Sequence, residues 1–156
     1  MRLHVAIPLR WSDFDAYAHV NNAEMLRLLE EARIQAFWKP DSPQPGGMAT
    51  AVLDARPGAE SISLIARQEI EYLAPVPYQR RPLDVQMWFG KVGGSSIDVC
   101  YEVYNDPAND ERVLYARATS TLVLVDAATG RPVRIAPDMR AAWMPYLGAP
   151  NEFSHR

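Results

Sequence analysis

An aspartate stands a few residues before the start of a predicted helix, an arrangement that suits chemistry on a carbonyl group. Asp15 lies in the segment 10–22, which reads RWSDFDAYAHVNN. The first N–H groups of a helix have no partner inside it, so they can polarise a carbonyl oxygen and stabilise the oxyanion that develops there. A carboxylate facing that carbonyl can attack it or activate water. The segment therefore predicts an acyl-transfer site, and it suits a thioester because a thiolate leaves with little protonation.

The other polar residues of this segment have structural as well as functional interpretations. Asn21 and Asn22 are predicted to cap the helix, which also arranges its N–H groups. Asp13 is interpreted as structural. His19 could orient Asp15 or a water molecule, or pack as a structural group, and both interpretations stay open. The three histidines, His4, His19 and His155, lack the spacing of metal ligands, so no metal is predicted.

The helix that must position these groups is well marked in the sequence. Apolar residues recur every three or four positions over residues 22–38, which predicts an amphipathic helix. Asn21 followed by Glu24 predicts a capping box at its start, and Pro40 ends it. The apolar stripe is wide, which indicates a helix enclosed by a sheet.

Most of the remaining chain alternates with the period of β-strands. Pro8 assigns the first strand to an edge or a bulge, and Gly93-Gly94 predicts a hairpin. Residues 41–59 are predicted as loop, and a short helix follows Pro137. The predicted strands are 3–11, a short one at 51–53, then 62–72, 83–89, 97–103 and 113–125. This order predicts an α+β fold in which a long antiparallel sheet wraps around one central helix.

Length and composition limit the class of protein. The 156 residues predict a single domain over 1–156, with residues 147–156 left open as a tail. A net charge of −3 argues against nucleic acid, and no apolar run is long enough for a membrane span. The single cysteine, Cys100, excludes a disulfide framework within the chain, which favours a cytoplasmic location.

Segment 10–22 resembles the N-terminal signature of the hotdog-fold 4-hydroxybenzoyl-CoA thioesterase-like family, an Arg-aromatic-x-Asp-x-Asp pattern followed by His-Val-Asn-Asn. The likeness continues in EIEYLAP (69–75), GGSS (93–96) and ATSTLVLVD (118–126), so it covers nearly the whole chain. The resemblance implies an acyl-CoA thioesterase that needs no cofactor, because coenzyme A is part of the substrate. It also implies a homodimer or homotetramer, with the pantetheine arm entering between subunits.

The resemblance assigns the catalytic roles residue by residue. Asp15 matches the family's catalytic carboxylate, and the backbone N–H of Asn22 matches the group that polarises the thioester carbonyl. Ala18 departs from the pattern, since glycine is common there. Members differ over direct attack or water activation, and another branch carries its carboxylate on the helix. The candidates for that arrangement are Glu24, Glu30 and Glu31.

Several further residues are candidates for binding the substrate. Tyr72 is predicted to line the acyl pocket, with strand-core packing as its alternative, as for Trp88. Ser95 and Ser96 are candidates for the pantetheine or a phosphate, or for a plain polar hairpin. The other candidates are Asn21 beside the oxyanion site and Lys91, Arg80 and Arg81 for the nucleotide phosphates.

Two other functions compete with hydrolysis. A non-catalytic module for acyl-CoA or acyl-carrier protein would keep the pocket and use Asp15 only to brace the loop. A dehydratase of the same fold would need a histidine on the helix, and residues 22–38 contain none. The sequence leaves open the acyl group, the thiol carrier, and the choice between dimer and tetramer.

Overall fold

The computed structural model describes residues 1–42 and 47–154. Within them, one antiparallel sheet is built from β1 (Leu3–Ile7), β2 (Ser61–Tyr72), β3 (Leu83–Val92), β4 (Ser96–Tyr104) and β5 (Leu114–Asp126). The strands lie side by side in the order β1-β3-β4-β5-β2. A long helix, α1 (Asn22–Phe37), packs on one face, and a short one, α2 (Pro137–Trp143), follows β5. The predicted α+β hotdog architecture is confirmed.

Helix α1 forms where the 3.6-residue period predicts it and ends one residue earlier than expected. Its buried face is Met25, Leu28, Leu29, Ala32, Arg33, Ala36 and Phe37. At its C-terminal end, the ring of Phe37 lies 5.3 Å from that of Phe89 and 6.3 Å from that of Trp143. This aromatic cluster anchors the helix on β3.

No helix in the described ranges is long and apolar enough to cross a membrane.

Two of the predicted strands are wrong in extent. The first ends at Ile7 instead of residue 11, because Pro8 has no N–H for a ladder, and Trp11–Asp13 forms a 3₁₀ turn. The predicted strand at 51–53 is reduced to an isolated pairing of Leu53 with Trp38. The loop predicted at 41–59 includes residues 43–46, which lie outside the described residues, as does His155.

Strand β2 is more exposed than its alternation predicts. A bulge between Ile65 and Arg67 shifts the register against β5. The side-chain alternation therefore changes face there, because an extra residue reverses the direction of every side chain beyond it. Ile62 and Leu64 are left 43% and 49% exposed, and Ile65 on the helix side is 42% exposed. Since β2 is also the last strand of the sheet, this edge has both a free backbone and apolar side chains.

The C-terminal segment lies against the sheet. The N–H of Gly148 donates to the carbonyl of Phe89 at 2.8 Å, and the indole of Trp88 donates to the carbonyl of Ala149 at 2.8 Å. The amide of Asn151 donates to the carbonyl of Ala118 at 2.7 Å. Residues 147–154 are therefore bound to the sheet and do not form a free tail.

The loop before α1 contains a strained backbone position. Ala18 has a φ of +62°, and it is the one non-glycine residue with positive φ in the described ranges. A residue with a Cβ pays about 1–2 kcal/mol for this left-handed conformation. The loop thus follows a path that favours glycine although the sequence carries alanine.

We predict that Gly90→Ala destabilises the fold. A Cβ at Gly90 would lie 2.8 Å from Cys100 Sγ and 3.2 Å from Pro150 Cα, so the C-terminal segment would be pushed off the sheet. Overpacking of this kind costs about 1–3 kcal/mol. The matched control is Gly94→Ala, whose Cβ has no neighbour within 4 Å. Urea unfolding that shows equal stability for the two variants would contradict the packing.

We predict that Ala18→Gly stabilises the fold, in contrast to Gly90→Ala. Ala18→Gly should raise the free energy of unfolding by up to about 1 kcal/mol, because relief of the left-handed strain exceeds the entropy that glycine adds to the unfolded chain. Ala16→Gly is the control, since Ala16 has a negative φ and should lose stability. Chemical denaturation of both variants measures the difference, and a loss of stability in both would refute the strain.

Candidate active site

The loop between β1 and α1 is fastened by Asp13. This side chain is fully buried, and its carboxylate accepts hydrogen bonds from the N–H of Arg10 at 2.7 Å and from the Arg10 guanidinium at 3.0 Å. Its carbonyl accepts the N–H of Asn21 at 2.8 Å. Asp13 therefore connects the end of β1 to the start of α1, the structural role favoured for it.

Asp15 occupies a tight loop that fixes one of its carboxylate oxygens. Its N–H donates to the carbonyl of His19 at 3.0 Å, and its carbonyl accepts the N–H of Ala18 at 3.1 Å. Oδ1 accepts the N–H of Tyr17 at 2.8 Å and that of His19 at 3.4 Å. Within the described residues Oδ2 has no hydrogen-bond partner. One oxygen is thus held by the backbone while the other is free to react.

The start of α1 leaves one N–H group free. Asn21 Oδ1 accepts the N–H of Ala23 at 2.9 Å and that of Glu24 at 3.4 Å. The N–H of Asn22 donates to no acceptor in the part of the chain that is described. The other half of the predicted capping box is absent, because the N–H of Asn21 donates to Asp13 instead of Glu24. The cap therefore satisfies the second and third N–H groups of the helix and leaves the first one available.

Asp15 and Asn22 line one cleft of about 360 Å³. The N–H of Val20 donates to the carbonyl of Val76 at 3.0 Å, which ties the loop to the segment after β2. Tyr72 donates from its hydroxyl to the carbonyl of Asn22 at 2.7 Å, and burial raises the pKa of Tyr72, so it remains a donor. The cleft is lined by Asp15, His19, Val20, Asn22, Met25, Tyr72, Leu73, Ala74, Pro75, Val76 and Tyr115.

His19 contributes to this site through its backbone. Its N–H and carbonyl both bond to Asp15, and it pairs with Pro77 across the cleft wall. Within the described ranges its ring makes no hydrogen bond, so a role in orienting a water molecule stays a prediction. The described residues also contain no cluster of three or more His, Cys, Asp or Glu that could hold a metal ion.

The hairpin candidates lie at the other end of the sheet. Ser96 pairs with Val123, whereas Tyr72 pairs with Ala116, so roughly 23 Å of β5 separates them at about 3.3 Å per residue. Ser95 accepts the N–H of Leu124 at 2.9 Å through its carbonyl, and Lys91 is exposed next to the same turn. Within one chain these three residues are not brought to Asp15. Their predicted contact with the substrate would require a second subunit.

Arg33 was not identified from the sequence as a buried residue. Its charge pattern with Glu30 is typical of an exposed helix, yet Arg33 is only 6% exposed and hydrogen-bonds to the Tyr101 hydroxyl at 3.1 Å. Its position in the helical repeat could have indicated burial. Arg33 stands four residues after Leu29 and three before Ala36, so it lies on the same face of the helix as these buried residues.

Several solved structures are similar to this chain over most of its length. A thioesterase from Thermus thermophilus, solved with coenzyme A and Zn, is 25% identical with a TM-score of 0.66, covering 96% of this chain and 95% of that one. The DHNA-CoA thioesterase from Staphylococcus aureus is 16% identical with a TM-score of 0.69, covering 92% and 89%. A Pseudomonas aeruginosa protein is 22% identical with a TM-score of 0.73, covering 97% and 94%. The last two likenesses show the fold alone.

Sequence comparison identifies the family. A search of curated protein sequences returns no match. The family model of the thioesterase-like superfamily matches residues 9–143, a range that includes the Asp15 loop, α1 and the whole sheet from β2 to β5. The chain therefore belongs to the thioesterase-like superfamily.

Proposed function

We propose that this protein hydrolyses acyl-CoA thioesters to the free acid and coenzyme A. The observation that supports this most directly is that Asp15 and Asn22 line one cleft, while Asp15 Oδ2 and the Asn22 N–H have no hydrogen-bond partner among the described residues. The Thermus relative that was solved with coenzyme A favours the CoA ester as the substrate. The single buried Cys100 is compatible with the cytoplasmic location expected from the sequence.

In the proposed reaction, the thioester carbonyl lies between Asp15 and the start of α1. Its oxygen accepts the N–H of Asn22, and the helix dipole adds to the stabilisation of the oxyanion. Asp15 Oδ2 either attacks the carbonyl carbon, giving an anhydride that water then opens, or removes a proton from the attacking water. In both routes the carbon–sulfur bond breaks and coenzyme A leaves as its thiolate.

Asp15 is a better candidate than the helix carboxylates. It is the one acidic residue among those that line the cleft. Glu30 is 62% exposed at its side chain, and Glu24 faces Arg27 at 4.0 Å. The loop position thus favours Asp15 over Glu24 and Glu30 for the proposed role.

We also propose that the protein works as a homodimer or homotetramer formed along β2. This edge strand has twelve residues with a free backbone on one side and exposes Ile62, Leu64, Ile65 and Tyr72. A long apolar edge of this kind favours pairing with another strand. A second copy that pairs along this edge could bring its own Ser95, Ser96 and Lys91 near the substrate.

The first test is thiol release from a panel of short, long and aromatic acyl-CoA esters. Asp15→Asn should lower turnover by about 10²–10⁴-fold, because the amide neither attacks nor accepts a proton. Asp126→Asn is the matched control, since Asp126 Oδ1 also accepts two backbone N–H groups in a turn but lies at the far end of β5. Full activity in Asp15→Asn would refute the assignment, and binding of CoA esters without turnover by the wild type would favour a binding module.

The second test addresses the assembly. Ile65→Glu should shift the protein to monomer in sedimentation velocity, because a buried carboxylate would oppose the contact along β2. Met144→Glu is the control, since Met144 is 43% exposed, much like Ile65, but lies away from this edge. An unchanged sedimentation coefficient for Ile65→Glu would place the subunit contact elsewhere.

A further inference from the structure

Arg33 is a charged side chain placed inside the protein. It projects from the buried face of α1 towards β4 and is 6% exposed, so it has given up most of its hydration. A buried guanidinium is costly unless its donors are satisfied by acceptors. The identity of its acceptors therefore decides whether Arg33 is only a packing element.

Only some of the N–H donors of Arg33 have an acceptor among the described residues. Its Nη1 donates to the Tyr101 hydroxyl at 3.1 Å, while Glu30 Oε2 lies 3.8 Å from Nη2, beyond hydrogen-bond length. Arginine carries five N–H donors, so most of them have no acceptor in the described residues. Burial raises the pKa of Tyr101, so its hydroxyl stays neutral and does not balance the charge.

Arg33 also borders a cleft. The one fully enclosed side-chain polar atom without a partner in the described ranges is Glu71 Oε1, so the free nitrogens of Arg33 keep an accessible surface. Arg33 lines a cleft of about 220 Å³ between α1 and β2, together with the apolar side chains of Ile34, Phe37, Ile65 and Leu122. This is a space for hydrocarbon with a hydrogen-bond donor in its wall.

The cleft lies on the same flank of α1 as the active site. Asn22 and Tyr72 border the active-site cleft, and Arg33 and Ile65 border this one, so both lie between α1 and the helix side of β2. Arg33 is about 16 Å further along the helix axis at about 1.5 Å per residue, and long helical side chains lean back towards the N-terminus. The distance from Asn22 to the Arg33 side chain is therefore of the length of a medium-chain acyl group.

We propose that Arg33 binds an oxygen atom at the far end of the acyl group, so that the preferred substrates are medium-chain acyl thioesters with a terminal hydroxyl or carbonyl. This inference takes one point from the proposed function, namely that the thioester carbonyl lies at the start of α1. The negative Glu30 beside Arg33 disfavours a terminal carboxylate and leaves a neutral oxygen as the fitting acceptor. The apolar walls hold the methylene chain.

The test compares paired esters by titration calorimetry in the Asp15→Asn protein, in which turnover is expected to be strongly reduced. The pairs are octanoyl-, decanoyl- and dodecanoyl-CoA, each against its ω-hydroxy counterpart. For at least one length the ω-hydroxy ester should bind roughly 10- to 100-fold more tightly, because its oxygen accepts from a charged donor. Adding Arg33→Met should bring this affinity ratio close to one. The control is Arg27→Met, which should leave the ratio unchanged, because Arg27 also belongs to α1 but its side chain is 75% exposed.

The outcomes separate this inference from the hydrolysis itself. Equal affinity within every pair in the Asp15→Asn protein overturns the role of Arg33, even if Arg33→Met fails to fold. A preference for the ω-hydroxy ester that survives in folded Arg33→Met also overturns it. Thiol release from decanoyl-CoA by the wild type is measured separately, and its absence contradicts hydrolysis without affecting the binding ratio.

Discussion

The way in which the chain enters α1 determines the site. The backbone N–H of Asn21 donates to the carbonyl of Asp13, and its side-chain oxygen accepts the N–H groups of Ala23 and Glu24. The helix is therefore capped, yet its first N–H has no acceptor within the described residues. An N-cap side chain reaches only the second and third N–H groups of a helix, so the first one is left over at the positive end of the helix dipole.

The same connection places the carboxylate. Buried Asp13 fixes the loop to the helix start, and the loop then turns back through Ala18 so that Asp15 and His19 bond to each other through their backbones. The strain at Ala18 is tolerated because these contacts on both sides determine the path of the chain. Hydrogen bonds through Asp13 thus tie the loop of Asp15 to the start of the helix.

Helix α1 covers only part of the sheet, so the flank between α1 and β2 stays open. Phe37 packs on β3 with Phe89 and Trp143, and the inner side of β2 is left open. The active-site cleft and the cleft beside Arg33 both lie on that flank, and its outer border is β2, the last strand of the described sheet. Catalysis, acyl recognition and assembly are therefore expected along one side of α1.

The sequence was sufficient to predict the elements with a regular hydrophobic period and the loop that precedes the helix. The helix 22–37 and the role of Asp13 follow from residues that are neighbours in the chain, and the loop of Asp15 follows from its motif. The faces of β2 could not be predicted, because the bulge after Ile65 depends on pairing with β5. Arg33 was missed because its charge spacing is equally typical of an exposed helix, and the distance of Ser95 and Ser96 from Asp15 depends on the strand order.

The most direct test of the central claim is a ¹H–¹⁵N spectrum recorded during titration with a ketone analogue of decanoyl-CoA in which a methylene replaces the thioester sulfur. Its carbonyl is retained and cannot be hydrolysed. We predict that the amide proton of Asn22 moves strongly downfield as it donates to that carbonyl, while that of Ala23, already bonded to Asn21, changes little. A saturable titration in which the Asn22 resonance stays unchanged would contradict the account.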